Sequence, residues 1–76
     1  MFDKNIFAKR LKQLRKDKHL KQEDIGSLLS VTKTQISDIE NARRTTTLEN
    51  LVVLSDFFCV STDYLLGLTD NPTRNK

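Results

Sequence analysis

Two side chains that commonly carry catalysis or bind metals, those of His19 and Cys59, each occur only once in the 76 residues. Neither has a second histidine or cysteine at the spacing of metal ligands, and no nucleophile–base pair is visible. We therefore interpret His19 as a helix-cap residue and Cys59 as a small core residue. No glycine-rich phosphate loop is present either. We expect no enzymatic activity, no metal and no cofactor.

The remaining chemistry is charge, which is unevenly distributed. The net charge of +3 comes from 13 Lys and Arg against 10 Asp and Glu. Residues 1–21 hold eight basic and two acidic side chains, whereas residues 48–70 hold four acidic and no basic ones. A basic end opposite an acidic end indicates a polyanionic partner for the basic end. Charge alone leaves open the alternative of a solvated, lysine-rich helix face.

Length and composition predict one small helical domain. A chain of 76 residues with 37% hydrophobic and 30% charged residues has room for one domain of ordinary soluble composition. Two glycines and one proline are too few for a loop-rich fold. The short apolar runs predict neither a membrane span nor a signal peptide, and the single cysteine favours a reducing compartment, the cytoplasm. We divide the chain into an arm (1–5), a domain (6–68) and a flexible tail (69–76).

Apolar residues at helical spacing and capping residues predict five helices. The pair Thr32 and Gln35 has the capping-box spacing that begins a helix. Thr47 and Ser61 are suited to cap the two helices that follow. We predict that the fourth helix buries Leu48, Leu51, Leu54 and Phe58. The predicted helices span residues 6–18, 22–29, 33–41, 48–58 and 62–66.

The second and third helices are joined so closely that they predict a helix-turn-helix unit. Only Ser30 and Val31 separate the second helix from the cap of the third, and such a short connection favours a steep crossing. Gly26, in the middle of the second helix, costs about 1 kcal/mol relative to alanine. A close approach of the third helix would explain it. The third helix then directs a polar face outward, formed by Lys33, Thr34, Ser37 and Asp38.

Residues 22–41, QEDIGSLLSVTKTQISDIEN, resemble the helix-turn-helix of the Cro/phage-repressor family, also called the xenobiotic-response-element family, of bacterial and phage transcription regulators. Residues 20–23, 47–51 and 60–66 resemble the family's entry to the second helix and its fourth and fifth helices. The resemblance extends over residues 6–68. It implies an all-α, compact, five-helix domain of the lambda-repressor type.

The function implied by this resemblance is sequence-specific binding of a double-stranded DNA operator in transcription regulation. A repressor of the phage or mobile-element type is the leading hypothesis. An antitoxin that represses its own operon is one alternative. A protein-interaction adaptor that has lost DNA binding is another.

The resemblance also implies roles for individual residues, because in this family the third helix enters the major groove. Lys33 can donate to guanine, Thr34 can pack against thymine, and Asp38 can accept from cytosine N4 or instead orient Lys33 or Ser37. The expected base-contacting residues are Lys33, Thr34, Ser37 and Asp38. The expected phosphate-contacting residues are Lys21, Gln22, Gln35, Asn41, Arg43 and Arg44. Arg15 and Glu40 match positions that form a structural salt bridge.

A homodimer is expected, because operators of such proteins are usually two-fold sites. The candidate dimer interface consists of Val53, Phe57, Tyr64, Leu65 and Leu68. The same residues are also suited to the core of so small a domain, and the sequence leaves both interpretations open. Nothing in the sequence indicates a membrane or a small-molecule ligand as a further partner.

The chain departs from the family pattern at several helix ends. His19, Ser30, Ala42 and Cys59 stand where the family often has glycine, so we expect strained backbone at these positions. Lys21 stands where a serine or threonine often caps the second helix. The lysine loses this cap and adds a positive charge near the DNA.

Overall fold

The computed structural model describes residues 2–73, and within them the chain forms helices and no strands. The all-α, five-helix prediction is confirmed. No helix in this part of the chain is both long enough and apolar enough to cross a bilayer. The helices are α1 (Lys4–Asp17), α2 (Gln22–Leu29), α3 (Lys33–Glu40), α4 (Leu48–Phe58) and α5 (Thr62–Leu66).

The predicted caps begin α3, α4 and α5. Thr32 Oγ1 accepts a hydrogen bond from the Gln35 amide at 3.1 Å, and Gln35 Oε1 accepts from the Thr32 amide at 3.1 Å, which completes the capping box. The hydroxyls of Thr47 and Ser61 accept from amides three residues further on, at 3.1 and 3.0 Å. Each cap satisfies an amide that the first turn of a helix leaves without a backbone partner.

The structure shows contacts at both ends of the predicted domain. Asp3 caps α1 by accepting from the Asn5 amide at 2.8 Å, so α1 includes residues 4 and 5 of the predicted arm. At the other end, Arg10 Nη1 donates to Thr69 O at 2.6 Å, and Pro72 O accepts from the Ser61 amide at 3.0 Å. Thr69 is therefore bonded to α1, and Pro72 to the residue that caps α5. Residues 74–76 of the predicted tail lie outside the described residues, and the division into arm, domain and tail stays a prediction.

One apolar core joins the five helices. Leu48, predicted to be buried, is 81% exposed, because it is the first residue of α4 and lies beyond the edge of the core. Cys59 is also exposed rather than a core residue, because it ends α4 at the surface. The core consists of Phe7, Leu11, Ile25, Leu29, Ile36, Ile39, Leu51, Leu54, Phe58, Val60 and Leu65.

The close backbone approach predicted at Gly26 is present, but its neighbour is the turn rather than α3. A Cβ atom at Gly26 would lie 2.8 Å from Val31 O and 3.4 Å from the carbonyl carbon of Thr32. The Val31 amide also donates to Gly26 O at 2.8 Å. Glycine therefore lets the turn fold back onto α2.

The four residues that replace the family's glycines all adopt the left-handed conformation, as expected. The φ angles of His19, Ser30, Ala42 and Cys59 lie between 56° and 60°. This conformation costs any residue with a Cβ atom roughly 1–2 kcal/mol, because the Cβ atom lies too close to the following carbonyl oxygen. Each of these four helix ends therefore carries strain that glycine would relieve.

Replacing His19 or Cys59 by glycine is expected to stabilise the domain by up to about 1 kcal/mol each, because relief of strain outweighs the added entropy of the unfolded chain. Thermal unfolding should show a melting temperature higher by about 4–8 °C per kcal/mol. Ser27→Gly, at an exposed helical position in α2, is the control and should lower stability by about 0.5–1 kcal/mol. Equal destabilisation by all three variants would contradict the strain argument.

Candidate nucleic-acid interface

The turn between α2 and α3 holds the two helices as one unit. The left-handed Ser30 ends α2, and the capping box at Thr32 begins α3 two residues later. Ile25 of α2 and Ile36 of α3 are both fully buried in the common core. The buried face of α3 fixes its orientation, and its polar face is left on the outside.

The four residues predicted to contact bases fall into two groups. Lys33 and Thr34, in the first turn of α3, are exposed. Ser37 and Asp38 are half-buried and already have protein partners. The Ser37 hydroxyl lies 3.4 Å from Nδ2 of Asn41, which donates at 2.8 Å to the Ser37 carbonyl.

Asp38 is engaged by the loop that follows α3. Its Oδ1 accepts from Arg43 Nε at 3.0 Å, and its carbonyl oxygen accepts from the Arg43 amide at 2.8 Å. Among residues 2–73, Asp38 therefore pairs with Arg43, and not with Lys33 or Ser37 as the alternative prediction had it. From the sequence, Asp38 and Arg43 were predicted as two separate DNA contacts, and their pairing with each other was not predicted. The five-residue separation across a helix end was the only available signal.

The residues predicted to contact phosphates surround the α2–α3 unit. Lys21, Arg43 and Arg44 are exposed, and Asn41 is exposed at the end of α3. Gln35 is half-buried, and its side-chain oxygen is used in the capping box. Lys21 and Lys33 line an open hollow of about 340 Å³ at the start of α2, together with Arg15, Leu20, Gln22 and Glu23.

The predicted pair of Arg15 and Glu40 is a nearly buried, bidentate ion pair. Arg15 Nε and Nη2 donate to the two carboxylate oxygens of Glu40 at 2.7 and 3.0 Å. The side chains are only 11% and 2% exposed. The hydrogen bond to Glu40 raises the pKa of Arg15 above its ordinary value, and this effect exceeds the lowering by burial.

Two partners of this ion pair were not indicated by the sequence. Arg15 Nη1 donates to Leu20 O at 2.8 Å, and Gln22 Nε2 donates to Glu40 Oε1 at 3.2 Å. The network therefore ties α1 to the start of α2 and to the end of α3. Gln22, predicted as a phosphate contact, has its side-chain amide held within the protein.

The predicted dimer residues do not all lie on the surface. Val53, Phe57 and Leu68 are 36%, 40% and 59% exposed, whereas Tyr64 is half-buried with the guanidinium carbon of Arg10 at 4.2 Å from its ring centroid. Leu65 is fully buried, so its assignment to the interface is wrong. It belongs to the core because α5 packs against both α1 and α4.

Comparison with known proteins places this arrangement in a family. A family model described as helix-turn-helix matches residues 11–65. The HTH-type transcriptional regulator YobD of Bacillus subtilis is 36% identical over 67 residues, which are 88% of this chain and 60% of that protein. The ImmF control region 10 kDa protein of Bacillus phage phi105 is 39% identical over 57 residues, 71% of this chain and 63% of that protein. The chain thus spans less than two thirds of either relative.

Solved structures show the same fold. The P22 c2 repressor, crystallised with a synthetic operator, superposes with a TM-score of 0.74 at 31% identity, over 80% of this chain and 92% of that one. The restriction-modification controller protein C.AhdI of Aeromonas hydrophila gives a TM-score of 0.72 at 27% identity, over 83% and 96%. The family match covers most of the chain, and α2 and α3 have the geometry of a helix-turn-helix unit. The chain therefore belongs to the Cro/phage-repressor type of helix-turn-helix transcription regulators.

Proposed function

We propose that this protein is a repressor that binds operator DNA in a sequence-specific manner, with α3 in the major groove. The observation that carries the proposal is the orientation of α3. Ile36 and Ile39 of α3 are buried, whereas Lys33 and Thr34 are exposed at the N-terminal end of the helix. In helix-turn-helix proteins the N-terminal residues of this helix contact base edges. The similarity to the P22 c2 repressor, whose structure contains an operator, supports this docking.

The charges around α3 are arranged for a DNA backbone. Lys21 precedes α2, and Arg43 and Arg44 follow α3, so exposed positive charge flanks the proposed recognition helix on two sides. Contacts of this kind position a protein on the duplex and release bound cations. We therefore expect the affinity for DNA to fall steeply as the salt concentration rises.

A protein with this function would act in the bacterial cytoplasm, where the DNA is located.

A homodimer on a two-fold operator completes the proposal. The exposed apolar side chains of Val53, Phe57 and Leu68 belong to the acidic segment 48–70, which holds no lysine or arginine. Such a surface suits contact with a second copy better than contact with DNA, because acidic groups repel phosphates. Two copies joined there would present two α3 helices to successive major grooves.

Base contact by α3 is tested by changing its exposed residues. Selection from random double-stranded DNA supplies the operator, and fluorescence anisotropy then compares operator with scrambled DNA. Lys33→Ala and Thr34→Ala should each weaken operator binding by roughly five- to 150-fold, because each removes a base contact worth about 1–3 kcal/mol. Binding to scrambled DNA should change much less.

Lys16→Ala, at an exposed position of α1, is the matched control for loss of one positive charge. It should leave the ratio of operator to scrambled affinity unchanged. An unchanged ratio in the Lys33 and Thr34 variants would contradict base contact by α3. A wild-type protein without affinity for DNA at low salt would instead favour the adaptor alternative.

Lys21→Ser should separate stability from DNA affinity. Asp24 Oδ2 already accepts from the Lys21 amide at 2.8 Å, and a serine hydroxyl would add the missing half of a capping box. We expect a gain of about 1 kcal/mol in the free energy of unfolding. We also expect the slope of log affinity against log salt to become shallower by about 1. Urea denaturation and salt titrations measure the two effects, and a variant that gains both stability and affinity would contradict this role of Lys21.

A further inference from the structure

Asp38 and Arg43 form a pair on the proposed DNA-binding surface that the separate roles predicted for them do not explain. Asp38 lies one turn beyond Thr34 on the same face of α3. An unpaired carboxylate in the major groove would be repelled by the phosphates on both sides. A carboxylate that bonds to an arginine avoids most of that repulsion, because the pair is neutral.

The backbone fixes Arg43 at the end of α3. Ala42 is left-handed, its amide donates to Ile39 O at 3.1 Å, and the Arg43 amide donates to Asp38 O at 2.8 Å. These two bonds form a Schellman motif, which closes a helix end in a defined geometry. The Arg43 side chain therefore starts from a fixed point beside the Asp38 carboxylate.

Each member of the pair keeps hydrogen-bonding capacity. Only Nε of Arg43 and Oδ1 of Asp38 take part in their 3.0 Å contact. Among residues 2–73, Nη1 and Nη2 of Arg43 and Oδ2 of Asp38 have no further protein partner. The side chains are 62% and 31% exposed, respectively, so solvent or DNA can reach both.

We propose that Asp38 and Arg43 act as one unit, in which Asp38 accepts a hydrogen bond from the N4 amino group of a cytosine while Arg43 holds the carboxylate and donates to a phosphate. This inference rests on the proposed function and assigns a specificity role to Arg43. Cytosine is favoured because guanine and thymine present acceptors in the major groove, and adenine places its N7 acceptor beside its amino group. Arg43 is thus a positioning residue for a base contact.

Selection from random double-stranded DNA tests the unit, with the full chain and four variants. Wild type should enrich cytosine at one position of each half-site by roughly tenfold or more. Asp38→Asn should shift that position towards adenine, because an amide matches adenine N6 and N7. Arg43→Gln should lose most of the cytosine preference there and leave the other positions unchanged. Arg43→Lys, which retains the charge, should keep part of the cytosine preference. The double variant Asp38→Asn, Arg43→Gln should show no cytosine preference at that position.

Arg44→Gln is the matched control, since Arg44 is the adjacent exposed arginine and none of the ion pairs among residues 2–73 includes it. It should weaken binding to all sequences and keep the cytosine preference. Melting temperatures of all variants should stay within a few degrees of wild type, because an exposed pair contributes little to stability. If Arg43→Gln behaves like Arg44→Gln, the inference is wrong and the proposed function stands. If wild type enriches no sequence at all, both are wrong.

Discussion

Glu40→Ala is expected to destabilise the domain by about 3–5 kcal/mol, because it leaves the nearly buried Arg15 guanidinium without its counter-charge. This loss is a large part of the 5–15 kcal/mol typical of a whole domain. The Gln22 side-chain amide would lose its acceptor as well. Urea denaturation followed by circular dichroism measures the effect.

Two further variants make this experiment specific. Asp38→Ala breaks the more exposed pair with Arg43 and should cost no more than about 1 kcal/mol. The double variant Arg15→Met, Glu40→Leu removes both buried charges and should recover most of the loss. A Glu40→Ala variant as stable as Asp38→Ala would show that the network linking α1, α2 and α3 contributes little to the fold.

Leu65→Ala is expected to cost about 2–5 kcal/mol, because it leaves a cavity at a fully buried position between helices. Phe57→Ser should cost less monomer stability, about 1–2 kcal/mol, because the ring is 40% exposed but packs edge-on against Phe58 at 5.0 Å. If the proposed dimer surface is correct, Phe57→Ser should weaken self-association on operator DNA. Leu65→Ala, examined well below its melting temperature, should leave self-association unchanged.

Urea denaturation at low protein concentration and sedimentation equilibrium with operator DNA separate the two effects. A small loss of stability in Leu65→Ala would argue that α5 is loosely attached to the domain. Unchanged association in Phe57→Ser would remove the helix α4 surface from the proposed dimer. The two variants therefore test the core and the interface independently.

The features that the sequence predicted correctly depend on residues close together in the chain. The caps at Thr32, Thr47 and Ser61 act on amides three residues away, so their spacing alone placed the starts of three helices. Departures from the family pattern likewise located strained backbone, because a helix end at His19 or Cys59 requires a left-handed residue whatever its type.

The candidate site was predictable in part. The outward polar face of α3 followed from its narrow apolar stripe of Ile36 and Ile39. The family resemblance pointed to the ion pair of Arg15 and Glu40, which are 25 residues apart in sequence. No local pattern indicates that the Leu20 carbonyl and the Gln22 side chain complete this network, because partners depend on which segments pack together.

The sequence by itself determined where the helices begin, which face of α3 is polar and how the charge divides between the two ends. Only the tertiary structure decided that Leu65 is core, that Leu48 and Cys59 are exposed, and that Asp38 is held by Arg43. Helix starts and helix faces depend on neighbours within about one turn. Burial and pairing depend on which other segment covers a side chain, and that is set only when the five helices pack together.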